Sequence, residues 1–302
     1  MKLIKKRMLR KSIISGLLLL LSVSLSADLF ENYSRGGRAL GMGGAFVGLA
    51  DDVYAVVYNP AGLGGQKGVA VNFNYQPVMG YDDIATLGAL FRINFGNIGI
   101  GGSFYQIAQD GGTSFSTVNL AGGMALPGLK MGPLSNLRVG VVANLYIIQP
   151  DGFSPTDNVK DSATAFSFGI SALVNLFSPK FSVGFYVNNI NQPNITVTET
   201  GGGTDIKREA RIGLSYLLNE YFRLSLDYAI RDYAGETEAL NNIFIGSEIY
   251  FYKAVMLRFG FDEGKMTIGL GIDGKNFELN GAVRVEADIN LYYQFDLTLK
   301  LN

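Results

Sequence analysis

The sequence predicts an all-β fold: a transmembrane antiparallel β-barrel of about fourteen strands, preceded by an N-terminal segment that does not alternate. Three observations point there. Beyond Gly68 the chain alternates apolar and polar residues with a period of two, segment after segment. Most of these segments are about 9–14 residues long, the length a tilted strand needs to cross a bilayer. Their connections alternate too, long with short.

Residues 1–27 read as a secretory signal peptide. Lys2, Lys5, Lys6, Arg7, Arg10 and Lys11 precede the apolar run Ile13–Leu21, and Ser22, Ser24, Ser26 and Ala27 supply small residues for cleavage. The run is too short for a spanning helix, which needs about 20 apolar residues. Removing this leader lowers the basic residues from 25 to 19 against 26 acidic ones, a formal charge of −7. So acidic a chain argues against a nucleic-acid partner, because phosphate binding needs a basic face. With 0 Cys there is no disulfide framework and no thiolate nucleophile. With 0 His the commonest general base and zinc ligand are missing, and serine–histidine hydrolysis is excluded. The expectation is no enzyme, no cofactor and no metal.

The strands are expected at 68–77, 83–95, 97–108, 115–126, 137–148, 163–177, 181–190, 206–218, 221–232, 242–253, 254–262, 265–273, 276–286 and 288–301. Val69, Val71, Phe73 and Tyr75 face one way, and Ala70, Asn72, Asn74 and Gln76 the other. The last strand sets Leu291, Tyr293, Phe295 and Leu297 against Tyr292, Gln294, Asp296 and Thr298. A soluble β-sandwich would also alternate. Here the second face carries glycine and isolated charges (Gly88, Arg92, Gly140, Arg211, Asp227, Glu248, Arg258, Arg284), which suits a lumen better than open water. Arg138 and Arg223 belong to the same inward set, and most of these charges are expected to satisfy one another as ion pairs. Val142, Tyr146, Leu217, Phe244 and Tyr250 are expected inward, lining a path or filling space.

Long connections at Gln109–Ser114, Gln149–Ser162, Asn191–Asp205 and Tyr233–Asn241 alternate with tight ones at Gly96-Asn97, Ser178–Lys180, Asn219-Glu220 and Gly274-Lys275. Long loops on one rim and short turns on the other are the outer-membrane barrel rule, broken once by Pro127–Asn136. Past Ala27 no apolar run reaches the length of a spanning helix, and a bilayer admits only helices or closed barrels. The 16 Tyr and 20 Phe suffice for interfacial girdles despite 0 Trp. The domain reading is leader 1–27, hatch 28–66 and barrel 67–302.

The stretch Gly41–Leu63, GMGGAFVGLADDVYAVVYNPAGL, does not alternate. As a dinucleotide loop it fails: Gly41 and Gly43 begin the pattern, but position 46 is Phe and no strand precedes it. As a catalytic pair, Asp51 and Asp52 are unpromising, since sequence neighbours rarely converge on one substrate atom. Asp51 or Asp52 is instead expected to cap a short helix, Val53–Tyr58. Pro60 stops that helix, and Asn59 is placed to cap a second turn, Ala61–Gly64. A compact, glycine-rich segment ahead of the first strand fits a plug whose backbone packs closely on a wall.

Arg38-Ala39-Leu40-Gly41-Met42-Gly43-Gly44-Ala45-Phe46, then Ala50-Asp51-Asp52, Ala55 and Asn59-Pro60-Ala61-Gly62-Leu63, resemble the N-terminal hatch of the FadL-type outer-membrane transporters. The length is similar to that of the shorter PorV/PorQ-like branch. The resemblance implies a fourteen-stranded barrel in the outer membrane, with the hatch folded into its lumen. It implies passage of hydrophobic small molecules, fatty-acid-like or aromatic: a ligand enters from outside, the hatch shifts, and the ligand leaves through the wall or past the plug. Asn59, Pro60 and Ala61 match the Asn-Pro-Ala of the hatch. With Gly62, Gly41, Gly43, Gly44, Asp51 and Asp52 they are the candidate hatch and gating residues. The chain departs from the family in its modest outer loops and in ending on Asn302 rather than an aromatic residue. The short branch also includes barrels that dock secretion cargo without moving solute. The expected partners are therefore outer-membrane lipid, a hydrophobic ligand and, on the alternative reading, a secretion-system protein held by the loops Gln149–Ser162 and Asn191–Asp205. A polar porin is disfavoured, because a plugged lumen conducts poorly.

Overall fold

In the computed structural model, residues 36–77, 84–109, 112–128, 132–150, 160–197, 203–232, 240–251, 254–285 and 291–301 are described. The expected leader and residues 28–35 of the expected hatch lie outside them. Fourteen strands close into one antiparallel ring. In chain order they are β1 (Val69–Pro77), β2 (Ile84–Phe95), β3 (Ile98–Gln109), β4 (Ser114–Ala125), β5 (Leu134–Gln149), β6 (Ala163–Leu176) and β7 (Phe181–Asn188), then β10 (Arg208–Asn219), β11 (Phe222–Asp232), β12 (Leu240–Phe251), β13 (Val255–Asp262), β14 (Lys265–Asp273), β15 (Phe277–Val285) and β16 (Leu291–Leu301). Between β7 and β10, outside the ring, β8 (Asn194–Ile195) and β9 (Thr204–Asp205) form a small ribbon. The ring closes where β1 pairs β16, Val69 opposite Leu301 and Tyr75 opposite Phe295.

The period of two gives each strand two unlike faces. Phe73, Leu120, Phe166 and Leu270 point out and are half exposed, while Asn72, Asn119, Asp227 and Arg258 point in and are buried. The outward apolar band runs around the whole ring, far beyond the few hundred Å² a soluble monomer leaves exposed. A bilayer is the solvent that matches it, and closure leaves no unpaired edge to face lipid. The chain is an outer-membrane β-barrel.

Most strand ends fall within two residues of the expected ones. β5 begins at Leu134 rather than 137, with a bulge between Ser135 and Arg138, so part of the anomalous connection Pro127–Asn136 is strand. β7 stops at Asn188 because Asn189 turns the chain at φ 53°. The ribbon β8–β9 was not expected, since two-residue strands carry no period. The ends at 252–253, 286 and 288–290 lie outside the described residues.

Residues 36–66 fold inside the ring. A short helix, Gly37–Gly41, comes first, then turns, then a helix at Ala55–Tyr58 and a 3₁₀ helix at Pro60–Gly65. Every residue from Gly36 to Ala50 is buried. Two apolar clusters join this segment to the wall, Phe46, Val53 and Tyr54 with Leu90 and Tyr105, and Val47, Val56 and Leu63 with Val142, Leu173 and Tyr186.

Candidate functional site: the filled lumen

Wall side chains hold the main chain of the N-terminal segment from opposite sides of the ring. On β16, Asp296 Oδ2 accepts the Gly37 N–H at 2.6 Å. On β11, Asp227 Oδ2 accepts the Phe46 and Val47 N–H groups, both at 2.9 Å. On β6, Ser171 Oγ accepts the Ala61 N–H at 2.9 Å. On β7, Ser182 Oγ donates to the Gly48 carbonyl at 2.6 Å. A carboxylate that accepts two backbone N–H groups makes charge-assisted bonds about twice as strong as neutral ones.

Asn59 ties the segment to itself and to the wall. Its Nδ2 donates to the carbonyls of Val47 at 2.8 Å and of Ala172 on β6 at 3.1 Å. Its Oδ1 accepts the Ala61 N–H at 3.2 Å, the turn-capping bond expected from Asn59-Pro60. Pro60, Ala61 and Gly62 follow in the buried 3₁₀ turn against β4 and β5.

Glycine decides how close the segment lies. Gly43 sits at φ +61°, and a Cβ there would fall 2.4 Å from the Ile245 carbonyl oxygen of the wall. On the wall's side, a Cβ on Gly184 would fall 2.1 Å from the Val47 carbonyl. Gly41 and Gly44 flank Gly43 in the same buried run.

Asp52 caps and pairs at once. Its Oδ1 accepts the Tyr54 N–H at 2.8 Å, the bond expected of a residue capping a helix that begins at Val53, while its Oδ2 meets Arg38 at 3.0 Å. The regular helix begins two residues later than expected, at Ala55. Asp51 pairs with Arg38 at 2.7 Å and with Arg223 of β11 at 2.9 Å. Arg38, buried in the first helix, has its guanidinium beside both carboxylates. Burial pushes the Asp52 carboxyl up to about 7, with Arg38 opposing and Asp51 and Glu278 adding to the rise. Asp51 keeps 38% of its side chain exposed, so desolvation raises it only in part, and Arg38 and then Arg223 outweigh that and hold it below the ordinary carboxylate value.

The inward charges thus serve two purposes. Arg258 with Glu248 at 2.8 Å and Arg284 with Asp262 at 2.6 Å are wall-to-wall pairs, as expected. Arg223, Asp227 and Asp296 reach the segment, and Glu248 does so as well as pairing with Arg258. Arg92 donates to the Lys67 and Gly68 carbonyls. Sequence reasoning missed Arg38 and Asp296 as anchors.

The segment separates two cavities. Toward the short turns lies one of about 330 Å³, lined by charges including Arg38, Asp52, Arg92, Glu278 and Lys300. Toward the long loops lies one of about 70 Å³, bounded by Val47 and Tyr58 of the segment and by Tyr186, Lys207, Arg211 and Arg231. Among the described residues no cluster suits a metal ion.

These features define an outer-membrane barrel whose lumen is filled by its own N-terminal segment. No family model and no curated protein matches the chain. Solved structures do match its fold. The toluene transporter TbuX of Ralstonia pickettii aligns with a TM-score of 0.58 at 12% identity, over 88% of this chain and 98% of that one. The P. putida toluene transporter TodX aligns at 0.57 and 10% identity, over 88% and 98%. The CymD monoaromatic hydrocarbon channel aligns at 0.52 and 10%, over 88% and 97%.

Proposed function

We propose that this barrel moves hydrophobic small molecules across the outer membrane, with residues 28–66 as a hatch and residues 1–27 as the export leader. The observation that carries the reading is the filled lumen. A segment fastened by a few polar side chains, inside a barrel shared in fold with hydrocarbon channels, is a closure that can yield without breaking the sheet. Asn59, Pro60, Ala61 and Gly62 then anchor one half of the hatch, Gly41, Gly43 and Gly44 seat the other, and Asp51 and Asp52 fasten it through Arg38. The ligand class is neutral aromatic or fatty-acid-like.

The test is extraction of the tagged protein in mild detergent, mass spectrometry of what accompanies it, and uptake of labelled toluene and oleate by cells that carry or lack it. A stoichiometric hydrophobic compound together with protein-dependent uptake supports transport. A stoichiometric protein partner with no uptake of either compound would replace transport by a docking role of the PorV/PorQ kind.

A further inference from the structure

Charge is sorted by height in one half of the ring. Residues 66–180, which carry β1 to β6, hold their acids at Asp82, Asp83, Asp110, Asp151, Asp157 and Asp161. All of these fall in connections on the long-loop side, 78–83, 110–113 and 150–162. The bases do the opposite. Lys160 excepted, Lys67, Arg92, Lys130, Arg138 and Lys180 fall at or near the short-turn ends of the strands, the periplasmic side of such barrels. In the other half of the ring both signs occur at both ends and pair with one another.

Two of these bases point into the short-turn mouth of the lumen. Arg92 stands on β2 opposite Ala70 of β1, and Arg138 on β5 opposite Leu173 of β6, both inward positions. Neither has a carboxylate partner among the described residues, whereas every other described arginine has one. The Nε of each is withdrawn from solvent without an acceptor. Arg92 Nη1 is held by the Lys67 carbonyl at 2.7 Å, the Gly68 carbonyl at 3.2 Å and Asn94 Oδ1 at 2.9 Å. Arg138 lies against Gly65, whose missing side chain leaves it room, since a Cβ there would fall 2.5 Å from Nη1. Asp51 and Asp52, the carboxylates of the segment, are already taken by Arg38 and Arg223. A guanidinium partly withdrawn from water without a counter-charge is destabilising, and the wall has two.

The geometry points to a docking site at the short-turn mouth for an acidic peptide segment of a periplasmic protein, with Arg92 and Arg138 each taking one carboxylate. With β3 and β4 between them, the two arginines stand about 14 Å apart along the wall, at about 4.8 Å per strand. An extended chain rises about 3.4 Å per residue, so carboxylates four positions apart match that distance and share one face. The guanidinium fork suits a carboxylate, which it meets through two N–H groups. A lipid headgroup fits less well, because both side chains face the lumen and not the bilayer. Lys67 and Lys180, exposed at the same rim, extend the attraction. The site stands whether or not the barrel moves a solute.

The test is calorimetric titration of the purified barrel, in nanodiscs of zwitterionic lipid, with a nine-residue Gly/Ser peptide that carries two aspartates four positions apart. Binding is expected, and added salt should weaken it. Arg92→Gln and Arg138→Gln are each expected to weaken it about fivefold or more, as loss of one charge-assisted contact implies. A peptide with adjacent aspartates reaches one arginine and should lose a similar factor. Lys275→Gln, exposed on the short-turn rim of the other half, should change nothing. Neither arginine has an acid to leave behind, so heat-modifiable gel mobility should stay that of the parent in both variants. No binding, undiminished affinity in both arginine variants, or equal affinity for the peptide with asparagines in place of its aspartates would overturn the inference. So would displacement by millimolar inorganic phosphate, which would make this a small-anion site, or loss of binding when phosphatidylglycerol is added to the nanodiscs, which would assign the arginines to lipid.

Discussion

Arg38 of the N-terminal segment and Glu248 of β12 form a two-pronged ion pair, Nε to Oε1 at 2.9 Å and Nη2 to Oε2 at 3.0 Å, with both side chains withdrawn from solvent. Their environments are unequal. Glu248 also meets Arg258 at 2.8 Å and Arg223 at 3.5 Å, whereas Arg38 keeps Asp51 and Asp52 if Glu248 is lost. Arg258, fully buried, then has Glu278 at 3.8 Å as its remaining ion-pair partner among the described residues. Removing one member of a buried pair costs about 3–5 kcal/mol when the other is left uncompensated. Glu248→Ala is therefore expected to cost several kcal/mol by thermal unfolding, and Arg38→Ala clearly less, because Glu248 retains two guanidinium partners. Arg38→Ala should instead expose the segment to protease with the barrel intact. Equal losses in the two variants would contradict this asymmetry.

The pH dependence of the segment should run through Asp52. Its carboxyl is raised from 3.8 to about 7, so the seated segment prefers it protonated. A raised carboxyl makes the seated state more stable below its ordinary value, and that stability is lost as pH climbs toward about 7. Asp51, held below its ordinary value, is already ionised throughout this window and adds no slope. The groups facing Asp52 are Arg38, Asp51, Glu278 and Arg92. Hydrogen exchange of the segment amides, corrected for intrinsic rate, should be faster at about pH 8 than at about pH 5. Asp52→Asn should make the profile shallower, and a profile as steep in that variant as in the parent would rule the mechanism out.

Asn59 makes three hydrogen bonds from a fully buried position, two as donor and one as acceptor. At about 0.5–1.5 kcal/mol each, Asn59→Ala is expected to cost about 2–4 kcal/mol of segment attachment. The strand ladders of β5 to β7 do not depend on it, so heat-modifiable mobility should stay near that of the parent. Protease sensitivity of residues 44–62 and uptake of the ligand should both change. If neither moves, Asn59 is filler and not an anchor.

The strand plan was legible because every strand has one face toward lipid and one toward the lumen, which imprints a period of two that no other fold of this length would hold so long. Asn59 was legible for a local reason, since Asn before Pro caps the turn it begins. What was hidden is non-local. Gly37 meets Asp296 across a separation of 259 residues, and nothing near either residue records it. The capping bond of Asp52 was legible because it is local, whereas the ion pairs to Arg38 and Arg223 come from other elements and were not. The ribbon is too short to show periodicity, and its isoleucines read as ordinary loop residues until the apolar wall beneath them is seen.

Glycines on the inner wall record where the segment rests. Interior strand glycine costs about 0.5–1 kcal/mol relative to alanine, so it persists where something else requires it. Gly184 faces the Val47 carbonyl, where a Cβ would approach to 2.1 Å, and Gly260 faces the Gly43 nitrogen, where it would approach to 2.4 Å. Gly122, on the outer face of β4, has nothing within 4 Å of its Cβ position. The three positions share a strand backbone and differ in what lies opposite. Alanine at Gly184 or Gly260 must push against main chain that cannot yield as a flexible side chain does, at about 1–3 kcal/mol. Gly122→Ala should raise the thermal midpoint slightly, since it only removes backbone freedom from the unfolded chain. Thermal unfolding of the three variants, with protease cleavage of the segment as a second readout, separates the cases. Gly184→Ala and Gly260→Ala should lower the midpoint and expose the segment, while Gly122→Ala should do neither. The same sign at all three positions would mean that the wall tolerates a displaced segment, and that the seated arrangement is one of several rather than the resting state.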